Sequence, residues 1–179
     1  MKNRFLITLV SLIFFLSGCV TLGNKSKDKL KKPPQIYKVD LNNDLMEEII
    51  EVKDGFDTGV DTTIVITKQD KSKIDSLTVY GKFTKVEFID LNEDGYKQIA
   101  LFYEGKDNSS KLTIYNLKNN KLTKIFTIEN KCGIDTDFSS VLARIKVGKS
   151  KAGQSDCSAN YPEDWEIWVW SGDKFIKEK

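Results

Sequence analysis

From residue 35 onward, apolar positions come in short runs that alternate with polar ones: IYKVD, IIEV, TTIVIT, VEFID, QIALFYE, KLTIYNL, KIFTI, LARIKV and WEIWVW. The runs are rich in Ile, Val, Thr, Tyr and Phe, whose branched or flat side chains fit a pleated surface. No stretch sustains an apolar residue every third or fourth position, the period that lets a helix bury one face. The pattern predicts an all-β chain of short strands.

The runs also repeat. Asp40, Asn42 and Asp44 reappear as Asp90, Asn92 and Asp94, again just ahead of an apolar run. KLTIYNLKNNKLTKI, from Lys111 to Ile125, predicts a hairpin turning on Asn119 and Asn120, because asparagine tolerates positive φ. WEIWVWSGDKFIKE matches that hairpin and sets Ile167 against Ile114, Trp168 against Tyr115 and Phe175 against Leu122. TTIVITKQDKSKI matches it with two inserted residues, which puts Val65 in the slot of Tyr115. A unit of loop, strand and hairpin, roughly 50 residues long, thus occurs three times, and its length and content suit one propeller blade. The expected architecture over residues 35–179 is all-β and β-propeller-like, with three repeated small antiparallel sheets. In the third unit, IDTDFSSVLARI keeps Asp135 and Asp137, but Phe138, Ser139 and Ser140 supply no third carboxylate and no glycine. It reads as a degenerate copy, as terminal repeats often are. The recurring slot of Trp168 marks it as a core position, and Trp170 is the tryptophan expected to stay outside the core.

The stretch Asp90–Gly95, DLNEDG, sets side-chain oxygens at alternate positions of a tight loop, where they turn inward together. A hard cation of calcium's size takes six to eight such oxygens. The expected ligands are the side chains of Asp90, Asn92, Asp94 and Gln98 with the carbonyl of Tyr96. In the earlier loop the set is Asp40, Asn42, Asp44, Met46 and Glu48. Gly95 permits the sharp turn, whereas Leu45 holds that place in the first loop and predicts strain. An EF-hand would need a glutamate at the twelfth position, which is Leu101, and flanking helices. The pattern resembles instead the VCBS or FG-GAP repeat of integrin-type propellers, in which D-x-[DN]-x-D-G-x-x-[DE] bridges strands of a blade. That resemblance implies structural calcium ions on a propeller scaffold. Gln98 departs from its terminal carboxylate, Leu45 departs from its glycine, and the FG and GAP landmarks are missing. Without an ion, such loops would be polar turns capped by their own Asx hydrogen bonds.

The chain start changes the picture of where this domain works. Lys2 and Arg4 precede an uncharged apolar run from Phe5 to Leu16, too short to span a bilayer comfortably. The run ends in LSGC, which resembles a bacterial lipoprotein cleavage box. The resemblance implies a signal peptide over residues 1–18 and lipidation of Cys19, with several acyl chains giving stable anchoring. Residues 19–34, polar and lysine-rich with Pro33 and Pro34 at their end, read as a flexible tether. The expected location is exported and membrane-anchored: the periplasmic face in a two-membraned cell, the cell surface otherwise. Seven of the 28 Lys and Arg and one of the 26 Asp and Glu lie in residues 1–32, leaving 21 basic against 25 acidic residues, a net charge of −4. No basic stripe remains to follow a phosphate backbone, so nucleic acid is not an expected partner. Cys132 and Cys157, an even pair in an exported chain, read as a disulfide.

Catalytic patterns are thin. FDTGVDTT contains one Asp-Thr-Gly, where aspartic proteases pair two aspartates around one proton. The chain has no histidine to act as a base and no Gly-x-Ser-x-Gly, and the adjacent Glu163 and Asp164 read as solvated loop residues rather than a glycosidase pair. The expectation is not an enzyme but a lipid-anchored envelope module that recognises a protein or glycan partner. The long loop from Lys146 to Asp164 is its expected contact surface. The combination of LSGC, calcium loops and a compact propeller-like domain also resembles periplasmic immunity lipoproteins that inhibit peptidoglycan-cleaving enzymes, which gives the alternative reading.

Overall fold

The computed structural model describes residues 33–55, 61–105, 107–139, 142–149 and 165–179. Outside them lie Cys19 and the LSGC motif, the Asp-Thr-Gly at 57–59, most of the loop between Lys146 and Asp164, and with it Cys157, Glu163 and Asp164.

The described chain contains strands and no helix. Sheet 1 runs through β1 (Gln35–Val39), β2 (Glu48–Lys53), β3 (Thr62–Thr67) and β4 (Lys73–Val79). Sheet 2 follows with β5 (Lys82–Ile89), β6 (Gln98–Glu104), β7 (Ser110–Lys118) and β8 (Lys121–Asn130). Sheet 3 comprises β9 (Ile134–Asp137), β10 (Arg144–Gly148), β11 (Trp165–Trp170) and β12 (Phe175–Lys177). Each sheet is an antiparallel meander in which every strand pairs with the next. The repeat therefore holds four strands where the sequence pattern marked a strand and a hairpin. The fourth is the strand ahead of each loop. Asn119 and Asn120 turn the β7–β8 hairpin at φ 52° and 59°, the conformation expected of them.

Two buried clusters hold the sheets together. Ile50, Val52, Ile64 and Ile66 of sheet 1 meet Ile99, Leu101, Phe83 and Leu117 of sheet 2. On the opposite face of sheet 2, Ala100, Phe102, Leu112 and Ile114 meet Ile145, Val147, Trp170 and Phe175 of sheet 3. Sheet 2 is thus covered on both sides. That is why β6, QIALFYE, is buried at five consecutive positions instead of alternating.

Strand pairing aligns the repeats. Ile49 pairs with Thr67, Ile99 with Tyr115 and Ile145 with Trp168. The slot of Tyr115 in sheet 1 therefore belongs to Thr67, two residues beyond Val65, because the inserted residues fall before rather than within the turn. Tyr115 packs towards sheet 1 and Trp168 towards sheet 2, so each faces the preceding sheet. Trp168 is half-buried, edge-on to Phe126 with ring centroids 5.8 Å apart. Trp170 corrects the expectation: it is a core residue, packed against Phe175 with the rings tilted and their centroids 5.1 Å apart, because its strand position matches that of Leu117 at the end of β7.

Candidate functional site

The chemistry anticipated in the sequence sits on the loops from first to second strand, residues 40–47 in sheet 1 and 90–97 in sheet 2. Both adopt one backbone. Asn43 and Glu93 have φ 56° and 57°, and two residues later Leu45 and Gly95 have φ 67° and 86°. The strain expected at Leu45 is present, since a side chain in that region crowds its own backbone.

Aspartates at the first position organise each loop. Asp40 Oδ1 accepts the N–H groups of Asn42 (3.2 Å) and Asp44 (3.3 Å), and its Oδ2 accepts that of Leu45 (2.8 Å). Asp90 does the same for Asp94 (3.1 Å) and Gly95 (2.7 Å). Asp44 and Asp94 each accept the N–H two residues on, from Met46 at 2.9 Å and Tyr96 at 3.0 Å. Leu41 and Leu91, between these acceptors, are buried and anchor the loops in the two cores.

At the ninth position the loops diverge. Glu48 and Gln98 are both buried, and each accepts the N–H of the leucine at the second position, Leu41 at 2.8 Å and Leu91 at 2.9 Å. In the first loop the remaining carboxylate oxygen of Glu48 accepts the Asn42 amide at 3.1 Å. In the second, Gln98 has already committed its oxygen, so its NH₂ turns inward and donates to the carbonyl of Tyr96 at 2.8 Å. Asn92 Oδ1 is taken by the Trp170 indole N–H at 2.7 Å. Two oxygens expected to face an ion in the second loop thus face protein donors. Turning the Gln98 amide over would strand the buried Leu91 N–H.

The first loop differs in charge rather than in hydrogen bonding, since Asn42 Oδ1 and both Glu48 oxygens there also accept protein N–H groups. Burial pushes the Glu48 carboxyl above its ordinary value, and the negative charges of Asp44 and Asp40 add to that rise against the lowering by the Leu41 N–H. Nothing cationic offsets this cluster within the loop sequence itself. The donor set of Asp40, Asn42, Asp44, Glu48 and the Met46 carbonyl is the all-oxygen chemistry a hard cation takes, and Glu48 is the group it would relieve. As placed, the side chains turn towards backbone N–H groups, and no three carboxylates among the described residues form a ready cage. In the second loop the Gln98 NH₂ is committed to the Tyr96 carbonyl and Asn92 Oδ1 to Trp170, so it offers an ion fewer carboxylate oxygens than the first.

The loops also lock to each other. The Asn43 amide donates to the Asp94 carbonyl at 3.2 Å. Trp170, besides its indole bond to Asn92, donates its backbone N–H to the Ala143 carbonyl at 3.0 Å. One chain of hydrogen bonds therefore ties the loops of all three sheets into a single end of the molecule. Sequence reasoning missed Asn43 and this use of Trp170, because neither departs from the repeat in a way that signals a partner. Tyr37, Phe88, Asp90, Thr136 and Phe138 help line an open groove of about 720 Å³ where β1, β5 and the end of β9 approach one another. Cys132 is disulfide-bonded, and its expected partner Cys157 lies outside the described residues.

Compared with known proteins, the chain matches no family model, no curated protein and no solved structure.

Proposed function

We propose that this chain is a lipid-anchored binding module of the cell envelope, with its three sheets standing as blades of an open propeller. Cys19 would carry the anchor and the first loop a structural calcium ion. The observation that carries this reading is the hydrogen-bonded end formed by the three loops: a rigid scaffold presenting fixed loops is the arrangement recognition uses. The approach of β1, β5 and β9 to one groove supports the blade arrangement, since first strands of blades surround a common axis. Affinity capture from envelope extract tests the function. A partner retained by the wild-type chain and lost with the whole domain supports it; a chain that retains nothing at any salt concentration overturns it.

Asp40, Asn42, Asp44, Met46 and Glu48 would hold the ion and draw the loop closed around it, with no position left open for reaction. Excess calcium is expected to raise the melting temperature, because an ion bound only to the folded state stabilises by mass action, about 2.7 kcal/mol at 100 times its Kd. Asp40→Ala should abolish the rise and Glu48→Gln should reduce it, whereas Asp90→Ala lowers stability without changing the calcium response. Identical melting curves in EDTA and in calcium would return the first loop to a bare turn.

A further inference from the structure

The loop end exposes apolar side chains to solvent. Leu45 is 91% exposed, Met46 59%, Tyr96 47% and Leu142 50%, and they come from the corresponding loops of the three sheets. The hydrogen bonds from Asn43 to Asp94 and from Trp170 to Asn92 and Ala143 place these loops side by side. Leu45 is the most telling. It stands in a left-handed conformation that glycine or asparagine would adopt without strain, and it puts an aliphatic side chain almost wholly into solvent. Folding gains from neither choice. Exposed apolar groups gathered at one place mark a contact surface.

Charge selects the occupant. Between Asp40–Glu48 and Asp90–Gln98 the chain carries seven carboxylates against one lysine, Lys97. Asp44, Glu47, Glu93 and Asp94 among them are exposed around the apolar tips. An anionic lipid surface is repelled by such an end, and a second copy presents the same sign. A protein surface with lysines or arginines around an apolar hollow complements it in both respects.

We infer that the three-loop end is a docking surface for a basic protein partner, with Leu45, Met46 and Tyr96 entering an apolar hollow and the surrounding carboxylates meeting its cations. The inference rests on the binding reading above and gives that reading a place and a partner chemistry. Its test selects random displayed peptides on the immobilised full chain, then measures the recovered peptides against variants. Expected winners combine Lys or Arg with aliphatic or aromatic residues, weaken as salt rises, and lose about tenfold or more in affinity for Leu45→Asn with Tyr96→Ser. The charge reversal Glu47→Lys with Glu93→Lys should weaken them similarly. Each variant is melted beside the wild type, so that loss of binding is read only where the fold is retained; asparagine suits the backbone of residue 45. Peptides that bind wild type and tip variants equally leave the binding reading standing and overturn this surface. Winners without basic residues overturn the charge argument, and no enrichment at all overturns both readings. Binding of the full chain to phosphatidylglycerol vesicles, or self-association, that disappears with the tip variants would assign the surface to lipid or to a second copy instead.

Discussion

Gly95 answers to two constraints at once. Its φ of 86° is comfortable only without a side chain, and a Cβ there would lie 2.4 Å from Asn43 Nδ2 and 2.7 Å from Asn43 Cγ. The glycine of the second loop is therefore required partly by the first. Gly95→Ala should destabilise by about 1–3 kcal/mol, measured by chemical unfolding. Asn43→Ala alone removes one exposed hydrogen bond and should cost under about 1 kcal/mol. Combined, the two should cost less than their sum, because the crowding disappears while the backbone strain stays. Simple additivity would mean that Asn43 swings away freely and the loops are not interlocked. Glu48 gives a pH signature of its own. Its folded-state carboxyl is raised above the ordinary 4.5, so the folded chain holds that proton more tightly than the unfolded one. Stability from this group is full below the unfolded value and is lost as pH rises through the raised one. Glu48→Gln should flatten that fall. Calcium, by favouring the ionised form, should offset it in the wild type only. A pH profile of stability unchanged by Glu48→Gln would remove the argument.

Among the elements, what could be read ahead followed from local chemistry. Alternate Asp and Asn residues build their turns from bonds two to five residues apart, so DLNND and DLNED announce the same loop wherever they sit. The Asn119–Asn120 hairpin and the alternating strands were legible for the same reason. Trp170 was not, because its burial depends on which neighbouring sheet its face meets; WEIWVW alone offers both faces equally. The ninth position of each loop was legible as a polar group, yet its role was not. A buried leucine N–H claims one acceptor from that side chain, and this requirement leaves glutamate with a second oxygen and glutamine with a donor. One residue type thus separates a loop that keeps a second carboxylate acceptor from one that supplies a donor of its own.

The ends of the whole stack carry a further consequence of the repeat. Each internal junction puts apolar side chains of one sheet on apolar side chains of the next, so the two outermost faces would be adhesive if they kept the repeat's residues. They do not. Where sheet 2 presents Phe88, Leu101 and Tyr103 to sheet 1, the matching positions on the open face of sheet 1 are Lys38, Glu51 and Lys53, the last two ion-paired at 3.1 Å. Where sheet 2 presents Ala100 and Phe102 to sheet 3, the matching positions of sheet 3 are Lys146, 3.9 Å from Asp135, and Gly148. Ile167 and Val169 persist there, half-buried. Polar outer faces are how repeat stacks stop growing. Restoring the repeat's residues on one end, with Lys38→Phe, Glu51→Leu and Lys53→Tyr together, should turn that face into a copy of sheet 2's. Such a chain, cut to begin at Pro33, is expected to self-associate in sedimentation velocity at concentrations where the otherwise identical parent stays monomeric. The parent forming closed dimers instead would mean that its end sheets already pair, and that the outer faces are covered by a second copy rather than capped.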